Sequence, residues 1–170
     1  MTTRDIPEAV LARMEAADSP DALLCFLTIS HPSLATPLRL VNDVVDYDRD
    51  GALFTGLPFE FTPLSEDERA GQGELTVQNI SREIGLAIDG LDARPQVAVE
   101  ICSSADFDLT VEPREELTTP ASIYAFAGFE ITEVEVTAIE ARARIALRDI
   151  DGEPWPYIRA TEARCPGHFK

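Results

Sequence analysis

The sequence predicts a mainly β fold, a bent antiparallel β-sandwich or partly closed barrel with short helices. Three observations predict it. Short apolar runs and period-two alternations recur along the 170 residues, which is the signature of strands with one or both faces buried. Asp, Gly and Pro clusters punctuate those runs at turn-length intervals. No helical stripe is long, and no fixed repeat or regular alternation of strand with helix appears, which sets α/β architectures aside.

Residues 7–16 read as an N-terminal helix, with Pro7 in its first turn and Val10, Leu11 and Met14 as an apolar stripe. Residues 23–29, LLCFLTI, form a continuous apolar run rich in strand formers and too short for an ordinary helix. A central strand buried on both faces is expected, stopped by His31-Pro32. Residues 38–47 read as a second strand, and Asp48-Arg49-Asp50-Gly51 supplies the turn into a hairpin partner at 53–55. Leu57, Phe59 and Phe61 alternate with polar residues, and Pro58 marks that strand as an edge or a bulge. Residues 65–73 are acidic and glycine-bearing and read as a loop; Leu75-Thr76-Val77 resumes a strand.

Ile80, Ile84 and Ile88 lie four apart, the spacing of one helix face, and Asn79 suits the N-cap of a mid-chain helix. Val97, Val99 and Ile101 alternate again, as do Phe107, Leu109 and Val111, giving two further strands. Residues 129–136 and 139–147 alternate too, but apolar parity slips between Ile131 and Val134 and between Val136 and Ile139. A one-residue slip turns side chains to the other face, so each slip predicts a bulge or a tight reversal. From Asp151 the prolines and glycines, with Trp155, Tyr157 and Phe169, read as an irregular C-terminal arm that needs a surface to lie on. The expected organisation is one β-rich domain over 1–150 and an arm over 151–170.

Charge narrows the function. Thirty-one acids against 14 bases give a net charge of −17, a field that repels nucleic-acid phosphates and anionic membranes. No run approaches the roughly 20 apolar residues of a membrane span, and residues 1–5 lack a secretory pattern, so synthesis and folding in the cytoplasm are expected. Cys25, Cys102 and Cys165 are odd in number and widely spaced, which suits buried thiols better than a disulfide framework.

Several clusters carry candidate chemistry. Asp43, Asp46, Asp48 and Asp50 are hard-cation ligands by type, yet their spacing lacks the glycine and terminal glutamate of an EF-hand loop, and carboxylates at a hairpin commonly just solvate the turn. Cys25 with His31, or Cys102 with His168, are formal thiol–base pairs, but Cys25 sits inside an apolar strand and His31 at a strand end suits turn capping. Cys165 and His168 supply two metal ligands, with Cys102 a conceivable third, and two ligands do not close a site. Glu130, Glu133, Glu135 and Glu140 suit the outward face of a strand pair. No glycine-rich phosphate cradle or basic-aromatic stripe is present. No catalytic residue, metal or cofactor is assigned.

Residues 24–32 (LCFLTISHP), 34–43 (LATPLRLVND) and 75–84 (LTVQNISREI), taken in that order, resemble a phage-associated family of domains of unknown function. Its ending is echoed by Gly152-Glu153-Pro154-Trp155-Pro156 and by Cys165-Pro166-Gly167-His168-Phe169. The resemblance runs from about Leu23 to Phe169. It departs at Cys165, where the family has Phe, and over 112–127, which fits loosely. The resemblance implies a minor tail or tail-tip protein of long flexible-tailed phages, prophages or gene transfer particles, placed between tail tube and hub and found in the virion tail once assembled. It implies a homo-oligomeric ring and contacts with tube, hub or tape-measure end, while the net charge of −17 sets nucleic acid and membrane partners aside. Some related tail-tip proteins of lambda-like phages carry an iron–sulfur cluster, which keeps Cys165 and His168 in view. Trp155, Tyr157 and Phe169 are the expected partner-binding anchors, since aromatics on proline-fixed backbone give contact area at little entropic cost. The alternatives are a cytoplasmic small-ligand or ion-binding β-barrel and a tail-associated thiol hydrolase using Cys102 or Cys165.

Overall fold

The structure, a computed structural model, describes residues 6, 8–16, 18–62, 72–78, 93–137 and 140–147. The expected mid-chain helix at 79–88 and the arm from Asp151, with its anchors Trp155, Tyr157 and Phe169 and the Cys165/His168 pair, lie outside these residues. Within them, helix α1 (Glu8–Glu15) precedes strands β1 (Leu23–Ser30), β2 (Leu38–Val41), β3 (Tyr47–Arg49), β4 (Ala52–Gly56), β5 (Phe59–Thr62), β6 (Gln72–Gln78), β7 (Gln96–Ser103), β8 (Phe107–Asp108), β9 (Arg114–Glu116), β10 (Tyr124–Val136) and β11 (Glu140–Leu147). They make one open sheet of eleven strands in the order β5-β6-β11-β10-β7-β1-β2-β4-β3-β9-β8. The mainly β expectation holds. The pairing is antiparallel except for two short parallel pairs, β2 with β4 and β3 with β9.

β1 explains the layering. Leu27 and Ile29 enter a cluster with Leu40, Phe59, Leu75, Val99, Phe129 and Ile145. Leu24 and Phe26 enter a second cluster with Val41, Tyr47, Phe54, Cys102 and Phe107. Alternate side chains of a strand point to opposite faces, so β1 is buried from both sides, as its continuous apolar run required. Strands β5 to β2 of the sheet order surround the larger cluster. The chain passes from β4 to β5 beside β2, where the Leu57 N–H donates to the Val41 carbonyl at 3.0 Å and the Phe59 N–H to Asn42 Oδ1 at 3.1 Å. The result is a partly closed barrel, with β3, β4, β8 and β9 laid over the other face of its β1/β2/β7 wall.

Local chemistry sets the turns. Asp50 (φ 51°) and Gly51 (φ 69°) both take the left-handed conformation that a two-residue hairpin between β3 and β4 demands. Between Ile131 and Glu133 the β10–β11 register shifts, and Thr137 N–H donates to the Glu140 carbonyl at 2.8 Å across the reversal. The two parity slips are thus a bulge and a turn.

Four expectations are corrected. The strand read over 38–47 is two strands, because Asn42–Asp46 leaves the ladder: Asp43 N–H bonds the Val41 carbonyl at 2.8 Å and Asp43 Oδ1 takes the Val44 N–H at 2.6 Å. The strand through Phe107, Leu109 and Val111 stops at Asp108, whose carboxylate accepts both the N–H (2.9 Å) and the hydroxyl (2.6 Å) of Thr110 and closes a turn; Leu109 and Val111 are exposed. The α1 stripe is only partly covered, with Leu11 and Met14 exposed. The loop read to Gly73 ends earlier, since β6 begins at Gln72.

Gly56 fills a close approach of backbone to backbone. A Cβ there would lie 2.5 Å from the Val45 carbonyl oxygen, well inside van der Waals contact. Gly56→Ala is therefore expected to cost about 2 kcal/mol through forced displacement of the 42–46 loop. Urea unfolding checks it, and a midpoint equal to that of the native sequence contradicts the close approach.

Candidate functional site

The polar groups of greatest geometric definition sit on the β3/β9 layer. β3 turns Tyr47 inward and Asp48 outward, and Arg49 follows Tyr47 to the inner side. Its guanidinium lies 5.0 Å from the centroid of the Phe26 ring. Nη2 donates to Glu100 Oε1 at 2.6 Å, and Nε faces Glu116 Oε1 at 3.3 Å as an ion pair without hydrogen-bond geometry. The Ser122 hydroxyl also donates to Glu100 Oε1, and Cys102 Sγ lies 3.9 Å from it. Glu100 can reach this centre because it stands opposite Phe26 across the β1–β7 ladder, on the same face.

Burial pushes the Glu100 carboxyl up, but the Arg49 and Ser122 hydrogen bonds and the Arg49 charge outweigh it, so its pKa falls below the ordinary value. Burial opposes the Arg49 charge, and Glu100, with Cys102 and Glu116, more than restores it. Burial raises the Cys102 thiol to about 12, with Glu100 and Asp106 adding to the rise and Arg49 opposing it. The Cys25 thiol is raised to about 11 by burial. Both are thiols at neutral pH, whereas a cysteine nucleophile works as thiolate.

A second centre joins β3 to β9. The Tyr47 hydroxyl donates to Asp43 Oδ2 at 2.7 Å, and Arg114 Nη1 donates to the same Oδ2 at 2.7 Å and to the Tyr47 hydroxyl at 2.5 Å. Burial first, then Asp43, lifts the Tyr47 hydroxyl to about 12. Its hydrogen bond holds the Arg114 guanidinium above its ordinary value.

These contacts place the sequence candidates. The four aspartates of the 43–50 cluster are not brought together: Asp43 pairs with Arg114, Asp46 Oδ1 accepts the Gly56 N–H at 2.8 Å, Asp48 faces outward, and Asp50 occupies the turn. His31 is buried and its Nδ1 accepts the Ser33 N–H at 3.0 Å, the turn-capping role. Six residues of extended chain, about 20 Å, separate it from Cys25. Glu133 pairs with Arg144 and Glu140 with Arg142, both at 2.9 Å, and Glu130 lies 3.8 Å from Arg94 on the outside of the sheet. Among the described residues, no group of three or more His, Cys, Asp or Glu could hold a metal, and no helix is long and apolar enough to cross a membrane.

Arg49, Glu100 and Arg114 escaped the sequence reading. Arg49 was absorbed into a turn and Glu100 into the polar parity of β7. The available signal was Cys102, an apolar residue on that same polar parity, which marks the face as covered.

The described residues also form several concave surfaces. A shallow groove of about 920 Å³ on the outside of β5, β6 and β11 is lined by Asn42, Phe59, Glu60, Glu74, Glu140 and Arg142 among others. A notch of about 120 Å³ lies between Phe26, Phe54, Arg49 and Phe126.

The fold and these centres define a partly closed β-barrel with an added β layer, fastened by two internal arginine networks. The chain belongs to the family described as Domain of unknown function (DUF1833), which it matches over residues 9–160. No curated protein matches it.

Proposed function

We propose that this chain is a structural component of a phage, prophage or gene-transfer-particle tail that assembles between tail tube and hub and catalyses no reaction. The observation that carries the reading is where apolar surface is left open. Of the eleven large apolar side chains exposed among the described residues, five, Val44, Leu53, Leu109, Val111 and Leu117, belong to the β3-β4-β8-β9 layer or its connections. Concentrated apolar exposure marks contact surface. The arginines beneath that layer are spent on internal ion pairs, and the thiols of Cys25 and Cys102 are protonated, so the described side chains serve rigidity. A net charge of −17 keeps such a subunit soluble before assembly.

In this reading the arm from Pro154 to Phe169 docks on a neighbouring subunit through Trp155, Tyr157 and Phe169. Neighbours are further copies in a ring and the tube, hub or tape-measure end, with each stable contact burying more than about 1,000 Å². Deleting the chain from Asp151 onward is expected to leave strand content by circular dichroism unchanged while abolishing incorporation into tails. Normal incorporation of the truncated chain refutes the role of the arm, and particles that never contain the full chain refute the tail assignment.

A further inference from the structure

We infer that the outward face of the β4-β3-β9-β8 layer receives residues 155–170 of a neighbouring copy of this chain. The inference rests on the assembly reading above and names both halves of the contact.

Leu53, Asp48, Glu115 and Asp108 are successive cross-strand partners and form one row over the four strands. Phe54, Tyr47 and Phe107, their chain neighbours, are buried beneath, so the row faces out. Leu53 is 52% exposed, and Leu117 and Leu109 beside the row are 62% and 49% exposed. No ion pair to Asp48, Glu115 or Asp108 occurs among the described residues. Like charges set directly opposite each other on neighbouring strands are destabilising. The face therefore combines open apolar side chains with carboxylates that no described cation pairs, and its complement is an apolar segment bearing cations.

Residues 155–170 have that composition. Trp155, Tyr157 and Phe169 share the segment with Arg159, Arg164 and Lys170 against a single acid, Glu162, in a chain otherwise strongly acidic. The ring of copies in the assembly reading above presents that segment to a neighbour, and the isotope pattern below separates such a contact from one within a single molecule. The groove outside β5, β6 and β11 is a poorer complement because Arg142 lines it.

Lys170 is the only lysine of the chain, which makes the contact directly readable. Full-length chains with and without ¹⁵N labelling are mixed, coupled with a zero-length carbodiimide and analysed by mass spectrometry. Amide links of mixed isotope from Lys170 to Glu115, Asp48 or Asp108 are expected. Same-isotope links alone, links to Glu60, Glu74 or Glu140, or no Lys170 link each overturn the inference. In the full chain, Glu115→Arg with Leu117→Ser is expected to lower the mixed-isotope yield at least tenfold with unchanged circular dichroism; an unchanged yield overturns it too. The two readings fail separately: native chains that enter tails without these links sink only this contact, and links formed by a chain absent from tails sink only the tail assignment.

Discussion

Phe26→Ala is expected to lower folding stability by about 4 kcal/mol, the upper range for a buried aromatic removed from a site that cannot collapse. Phe26 is 2% exposed and is the hub of the smaller cluster. Tyr47 and Phe54 meet it edge-on with centroids at 5.7 and 5.1 Å, and Phe107 stacks at 5.5 Å. Each such pair adds to plain area burial, and the Arg49 guanidinium over the ring loses its cation–π surface as well. The cavity would open between two strand layers already fixed by ladders and ion pairs, so relaxation is limited. Phe26→Leu, which keeps most of the volume, is expected to cost about 1.5 kcal/mol. Urea unfolding measures both, and a loss below 1 kcal/mol for the alanine variant contradicts a packed second layer.

Phe26 also shows what a sequence can and cannot disclose. Residues 23–29 are apolar at both parities, which means apolar contact on both faces, and β1 does serve two clusters. The parity slips of residues 129–147 were legible because register is a local property. Asn42–Asp46 was misread because its departure from the ladder depends on where Gly56 and Arg114 come to lie. The networks were illegible for the same reason: Arg114 meets Asp43 across 71 residues and Arg49 meets Glu100 across 51. A carboxylate opposite a solvent-facing turn and one opposite a buried guanidinium look alike in a string. The aspartate cluster therefore reads as turn solvation or an ion site, and Glu100 draws no notice among the residues that alternate with Val97, Val99 and Ile101. Leu109 and Val111 failed differently, since their alternation is genuine but Asp108 diverts the backbone into a turn through Thr110.

Arg49→Met should cost about 3 kcal/mol at neutral pH, because it strands two carboxylates in partly buried positions instead of removing a pair cleanly. Arg49 is 11% exposed in its side chain, and Glu116 and Glu100 are 19% and 31% exposed, which places the loss at the lower end for a broken buried pair. The pH dependence separates this cause from lost packing. In the native protein the folded pKa of Glu100 lies below its ordinary 4.5. Its contribution is therefore complete above that value and disappears as pH falls through the folded pKa. Without Arg49 its hydrogen bond and charge no longer hold the carboxyl down, so burial weighs more heavily and protonation costs the variant less than the native protein. The stability gap between native and variant proteins should thus be widest near pH 7 and narrow steadily below about pH 4.5. Pairing Arg49→Met with Glu100→Gln should recover part of the loss, since the amide removes one of the two uncompensated charges beneath the layer. A gap that stays constant from pH 7 to pH 3, or a double variant no more stable than Arg49→Met alone, would mean that Arg49 holds the layer by its contact with Phe26 and not by its charge.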